Sequence, residues 1–212
     1  MSRAFVIGIV GAESTGKSQL AEDLRAALAA TGLRVARVDE VLREVCDRLG
    51  RTPHRDEQAG IAAEQTRRIA VAADSHDIVV SDTTALMTAV YSQWVFDDRS
   101  LHGRAAQAHR RCDLTLLMAL DLPWQPDGWQ RDGAHVREPV DSLLRAALQD
   151  HGTAHSIIGG LGPHRVAAAL AATQRARSAV HGVAEASTAQ RWHWRCERCG
   201  DADCERHLLP RA

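Results

Sequence analysis

A chain of 212 residues with 45% hydrophobic and 25% charged residues has the composition of a soluble globular protein and the length of one ordinary α/β domain. Its formal net charge is −1, so no global positive field argues for nucleic acid, and no apolar run approaches the roughly 20 residues of a membrane-spanning helix. Its five cysteines, in a chain read as cytoplasmic, are thiols or metal ligands rather than a disulfide frame.

The first expected element is a strand over Ala4–Val10, whose nearly unbroken apolar run fits a central parallel strand buried on both faces. It runs into GAESTGKS, Gly11–Ser18, a complete G-x-x-x-x-G-K-[ST] phosphate loop carried by Gly11, Gly16, Lys17 and Ser18. Leu20, Leu24, Ala27 and Leu28 then recur at helical spacing, with a stop at Gly32. The loop therefore joins a strand to a helix N-terminus, where amides and dipole both favour anions. Lys17 is the only lysine, beside 25 arginines. A phosphate loop needs a compact charge on a flexible stem; a planar guanidinium is wider and aims its donors differently. The apolar run after Arg3 imitates a secretion signal, but cleavage there would destroy the loop, which is the basis for the cytoplasmic reading.

Further strands are expected at Leu33–Asp39, Asp77–Asp82, Asp113–Asp121 and, short, around His155–Gly159. Helical patterns separate them at Val41–Leu49, Arg55–Ala73, Ala85–Phe96, Arg137–Leu148 and Pro163–Val180. Strands alternating with helices imply a parallel sheet. Pro123–Glu138 is rich in Pro, Gly and charge and reads as a loop. Cys46 and Cys112 read as buried small apolar groups. From Arg191 the composition changes, which divides the chain into a body over 1–185 and a tail over 191–212. A GTPase base-reading motif has no lysine left to use, and a large motor-like ATPase needs more chain.

Four stretches together resemble the ribosylnicotinamide kinase (NadR-type) domain and its P-loop relatives over roughly Phe5–Ala168: GAESTGKS with its Glu13-Ser14, DEVLRE, DTTALMTAVYSQWVF, and DLPWQPDGWQRDGAHVRE. The resemblance implies an α/β P-loop NTPase (kinase-like) three-layer sandwich with a parallel five-stranded sheet in the order 2-3-1-4-5. It also implies ATP- and Mg²⁺-dependent phosphate transfer to a hydroxyl of a small metabolite, nicotinamide riboside being the leading candidate. The alternative is a nucleotide-dependent switch or regulatory ATPase whose tail holds a partner.

Phosphoryl transfer asks a protein for positioning and charge neutralisation. ATP is expected on Gly11, Glu13, Ser14, Thr15, Gly16, Lys17, Ser18 and Arg137, with Lys17 bridging the β- and γ-phosphates and Ser18 ligating Mg²⁺. Asp82 ends an apolar strand beside the loop; it either reaches Mg²⁺ or the substrate hydroxyl, or caps the helix at Ala85. Glu40 follows the second strand on the carboxyl edge where open α/β sheets bind ligands, and could accept the hydroxyl proton. Asp39 competes for that role, and an ion pair of Glu40 with Arg43 or Arg37 is the plainer reading. Arg43 joins Glu40, Asp82, Tyr91 and Trp94 in the expected substrate site; the two aromatics, three apart, stack on a base or belong to the core. Arg131 and Arg137 lie in a lid over about 123–138, where they would neutralise the moving phosphoryl group or simply be solvated. Gly159–Arg165, GGLGPHR, passes near adenine by resemblance, or is a plain strand-to-helix turn.

In the tail, Cys196, Cys199, Cys204 and His207 read Cys-x2-Cys-x4-Cys-x2-His, a donor set suited to structural Zn²⁺, with a reactive cysteine cluster or an iron–sulfur site as alternatives. Zinc knuckles suggest nucleic acid, and the balanced net charge argues against it. The oligomeric state is written in none of these features.

Overall fold

The computed structural model of the chain describes residues 3–125 and 134–180, and the compact unit Met1–Arg177 holds the five strands found among them. These are β1 (Phe5–Val10), β2 (Val35–Val38), β3 (Ile78–Asp82), β4 (Leu114–Met118) and β5 (Ser156–Ile158). All pair in parallel, in the expected order β2-β3-β1-β4-β5. The register sets Ile7 beside Val80 on one flank of β1 and beside Leu114 on the other.

Both faces of this sheet are covered, which is why every residue of β1 is buried. Ile7 and Ile9 pack with Leu20, Leu24 and Leu28 of α1 (Lys17–Ala29) and with Ala169 and Ala172 of α7 (Pro163–Val180). On the opposite face, Val10 and Leu117 pack with Leu86, Met87 and Val90 of α4 (Ala85–Phe96) and with Val140, Leu144 and Leu148 of α6 (Arg137–Asp150). Val6 and Val79 meet Ile69 and Ala72 of α3 (Gln58–Ala73). Alternate side chains of a strand feed opposite faces, so three layers result. The chain leaves β1 toward β3 and β2 and later returns to β4 on its other side. β1 therefore borders the switch in strand order, where a crevice opens at the carboxyl edge.

The helix expected over Arg55–Ala73 opens as a 3₁₀ turn, Arg55–Glu57, and becomes α-helical only from Gln58. The strand expected over Leu33–Asp39 contracts to four residues, because Asp39 and Glu40 leave the ladder to start α2 (Val41–Leu49). One helix was not anticipated: α5 (His102–His109) packs Ala105 against Ala85 and Ala89 of α4 and buries His109 beside it. Burial pushes the Cys112 thiol up to about 12, so it stays protonated. Among the described residues no helix is long and apolar enough to cross a membrane.

Candidate active site

The phosphate loop lies close against the sheet because Gly11 carries no Cβ; one there would stand 2.8 Å from Met118 Cβ of β4. Ser14 (φ 52°) and Gly16 (φ 76°) adopt left-handed backbone and turn the chain into α1. No side chain caps α1 at Gly16, which leaves its first-turn amides to an anion. The Thr15 hydroxyl and the Lys17 ammonium both donate to Ala12 O, at 2.8 and 2.9 Å. That occupies one of the three ammonium donors of Lys17, which lines a cavity of about 410 Å³.

The same cavity brings Glu13, Ser14, Thr15, Gly16 and Ser18 of the loop together with Glu40, Arg43 and Tyr91. Trp94 leaves the expected substrate set: one turn further along α4 it stands 38% exposed, outside the cavity lining. Asp82 and Arg137 are also buried outside the lining.

Glu40 occupies the extended position that precedes α2, and its carboxylate is 5% exposed. Burial pushes its pKa up; Lys17 pulls down, the Asp82 charge pushes up again, and Arg43 pulls down. Arg43 Nε donates to Glu40 Oε2 at 3.4 Å, so Glu40 both joins the expected ion pair and lines the cavity. The competing Asp39 is exposed and paired with Arg37 at 2.6 Å.

Asp82 does not cap α4. Thr84 does, its hydroxyl accepting from Leu86 N at 3.3 Å. The Asp82 carboxylate is 2% exposed, its Oδ1 has no hydrogen-bond partner among the described residues, and Arg37 stands 4.0 Å from Oδ2. Both acidic turns are fastened by Gln65 of α3, a buried amide. Its Oε1 accepts from Val41 N at 2.9 Å, and its Nε2 donates to Asp39 O and to Ser81 Oγ, each at 3.3 Å. Ser81 Oγ donates onward to Thr83 O at 2.5 Å.

Burial holds the Tyr91 phenol well above its usual range, the Glu13 and Glu40 charges push it the same way, and so it stays a donor. Glu13 Oε2 is buried without a partner among the described residues. Ser14 ties the loop to the chain after β4, its hydroxyl donating to Gln125 O at 2.8 Å and accepting from Gln125 N at 3.3 Å. Arg137 opens α6, its Nε and one terminal nitrogen buried without a partner among the described residues. Arg131 lies outside the described residues, as do Cys196, Cys199, Cys204 and His207. Among the described residues no group of three or more His, Cys, Asp or Glu side chains could hold a metal ion.

Sequence reasoning passed over Gln65, Asp121 and Arg165. Gln65 carried a signal: it shares a helical face with Ile61 and Ile69, where an apolar side chain would ordinarily stand. Arg165 carried none beyond its place in a glycine-rich turn.

A phosphate loop between the central strand of a parallel five-stranded sheet and a helix N-terminus defines the P-loop NTPase fold. Residues 6–165 match the family described as AAA domain, and the chain belongs to that family. Crystal structures of NadR protein share the fold: the complex with NR at 21% identity and TM-score 0.65, and the complex with NAD and AMP-PNP at 20% and 0.64. Each alignment covers 81% of this chain and 49% of the NadR chain, so the chain spans about half the length of those proteins. A thymidylate kinase from Ehrlichia chaffeensis aligns at 13% identity and TM-score 0.58, over 82% of this chain and 99% of the kinase. No curated protein matches.

Proposed function

We propose that the protein is an ATP- and Mg²⁺-dependent kinase that transfers the γ-phosphate to a hydroxyl of a nucleoside-like acceptor, with nicotinamide riboside the leading candidate. The observation that carries this reading is the buried Glu40 carboxylate, which shares one cavity with Lys17 and the phosphate loop. A kinase needs an acceptor pocket with a base near the γ-phosphate, whereas a nucleotide switch needs only loops that sense that phosphate. The NadR structures with NR and with AMP-PNP support the same reading.

The first-turn amides of α1 and the Lys17 ammonium hold the phosphates. Glu40, with its pKa raised by burial, takes the proton of the acceptor hydroxyl as that oxygen bonds to the γ-phosphorus and the bond to ADP breaks. The residues fit Mg²⁺: the orphaned Asp82 Oδ1 and the Ser18 hydroxyl are hard oxygen donors. When bound, the ion supplies charge neutralisation at the β- and γ-phosphates. Glu13 and Glu40 give the acceptor end an acidic wall, and Arg43 is already engaged by Glu40. That wall favours a neutral or cationic acceptor over a nucleoside monophosphate.

ADP release from Mg·ATP, measured with a panel of nucleosides and their monophosphates, tests this. Stimulation by a nucleoside but not by its monophosphate is the expected result. Release indifferent to every hydroxyl compound would overturn the kinase in favour of the switch.

A further inference from the structure

Behind the phosphate loop, on the side away from Glu40, one guanidinium touches three segments at once. Arg165 lies in the first turn of α7 and is 6% exposed. Its Nε donates to Gly160 O at 2.9 Å, one terminal nitrogen donates to Thr15 O at 2.5 Å, and the other meets the Asp121 carboxylate. The second Asp121 oxygen accepts from Gly160 N at 2.5 Å. Asp121 follows β4, Gly160 follows β5 and Thr15 belongs to the phosphate loop, so a single buried cation joins three separate turns.

The contact with Thr15 sets an aim as well as a position. Thr15 O and Gly16 N belong to one planar trans peptide, so their bond vectors point in opposite directions. Pinning the oxygen fixes the direction of the Gly16 N–H at the head of α1, where a phosphate is expected. The approach is close: a Cβ on Gly16 would lie 3.1 Å from the Arg165 guanidinium.

The far end of the same bridge borders a second space. Arg165, Gly160, Gly162, Leu122, Gln19 and Asp23 line a narrow cleft of about 110 Å³. Gly16, Gln19 and Leu122 border both this cleft and the phosphate cavity, which makes the two adjoin. Gly160 (φ 90°) and Gly162 (φ 51°) hold left-handed backbone beside it. A group that seats in the cleft bears on the Gly160–Gly162 turn. Gly160 O is bonded to Arg165, and Arg165 is bonded to the loop.

We propose that Arg165 is a positioning residue that couples the base-side cleft to the phosphate loop, so that the loop's grip on a triphosphate depends on what fills the cleft. The proposal rests on the nucleotide-binding part of the kinase reading. In thermodynamic terms the cleft and the loop share a coupling free energy, and Arg165 with Asp121 carries it. A base then does more than add its own contacts: it improves the aim of an amide on the other side of the guanidinium.

The test compares ATP with inorganic tripolyphosphate, which has the phosphates and no base, by calorimetry on the full chain. The proteins are wild type, Arg165→Lys and Asp121→Asn. Arg165→Lys keeps the charge and cannot span three acceptors. Asp121→Asn leaves the cleft lining untouched and keeps an oxygen for Gly160 N. Equal thermal midpoints for wild type and Asp121→Asn establish that the second variant is folded. In both variants ATP should lose about tenfold more affinity than tripolyphosphate, the signature of a coupling lost. Equal losses for the two ligands would overturn the proposal, since a merely structural arginine weakens both alike. A selective loss in Arg165→Lys that Asp121→Asn does not reproduce would also overturn it, because it would mean only that Arg165 touches the base. Wild type that binds neither ligand would remove the kinase reading and the coupling with it; wild type that binds both, with equal losses in the variants, removes the coupling alone.

Discussion

Lys17 and Glu40 face the same cavity with opposite demands on the surrounding medium. The ammonium is held in place by Ala12 O and must keep donors for phosphate, which a guanidinium of different shape cannot do in the same space. Lys17→Ala should abolish turnover, and Lys17→Arg should come close; near-normal kcat in the arginine variant would contradict the account of the loop. Glu40 is held at a cost. Its folded pKa is raised, so the folded state binds its proton more tightly than the unfolded chain does. The carboxyl is therefore without penalty below the unfolded value of about 4.3 and becomes destabilising as pH climbs through the raised value. Glu40→Gln should consequently melt higher than wild type, by a margin that widens as pH rises above the unfolded value of about 4.3, while kcat falls by about 10²-fold or more with little change in ATP affinity. A melting margin that does not change with pH, or an unchanged kcat at saturating acceptor, would remove Glu40 from the corresponding role. Lys17 and Glu40 were legible in the sequence from the loop motif and the strand-end rule. The orphaned oxygens of Glu13 and Asp82 were not, because a missing hydrogen bond is a property of the surroundings and not of the residue.

The elements that frame the site were readable in proportion to their apolar period. The bounds of α2, α4 and α7 agree with the expected ones, and the five strands fall inside the expected segments, β2 with Arg37 within it. α5 escaped notice because its buried face is two alanines and a histidine, Ala105, Ala106 and His109, which give a weak hydrophobic signal. That helix nonetheless supplies the tie that holds α4 to β4. His109 is 2% exposed; its Nδ1 lies 2.8 Å from Thr84 Oγ1 and its Nε2 lies 2.9 Å from Thr115 Oγ1. Each hydroxyl can donate or accept, so the neutral ring is served in either tautomer, one nitrogen donating and the other accepting. Burial lowers the His109 pKa to about 4, so the ring adds stability above its ordinary value and loses it as pH falls from about 6.5 toward 4. This loss should amount to something on the order of 3 kcal/mol. His109→Gln should be less stable than wild type at pH 7 and should flatten that acid limb, as followed by urea denaturation at each pH. An acid limb identical in the two proteins would place the titration elsewhere.

At the scale of the whole molecule, a folded chain that binds nucleotide must be stabilised by it. AMP-PNP with Mg²⁺ at about 100 times its Kd adds roughly 2.7 kcal/mol, which for a chain of this size raises the melting temperature by about 5–10 °C. Scanning calorimetry should find this rise in wild type and not in Lys17→Ala. The tail makes a separate prediction from its spacing alone: about one zinc per chain by elemental analysis, lost in the Cys196→Ser/Cys199→Ser double variant with nucleotide binding retained. Metal-free protein would remove the zinc assignment and leave the kinase reading intact. The global layout was legible because alternation of strands and helices implies a parallel sheet, a phosphate loop marks the central strand, and the family resemblance supplied the strand order. The joins between turns were not, since Arg165 and Gln65 bridge segments far apart in the chain and no local pattern announces such a partner.

Gln65 has a consequence for how the acidic half of the site can vary. Its amide is bonded on both sides of Glu40, at Asp39 O and Val41 N, and through Ser81 it reaches both sides of Asp82. The β2–β3 ladder already sets Val38 against Ser81, and this one side chain, which lines neither cavity, fastens onto it the turns that carry the two carboxylates. β3 is in turn laddered to β1 with Asp82 opposite Ile9, and Thr83 N donates to Ile9 O at 3.0 Å, so the acidic turn and the phosphate loop leave the same sheet edge. Acids and loop thus form one fixed frame. A change of acceptor has to be met by the side chains around it, Arg43 and Tyr91 among them, and not by moving the frame.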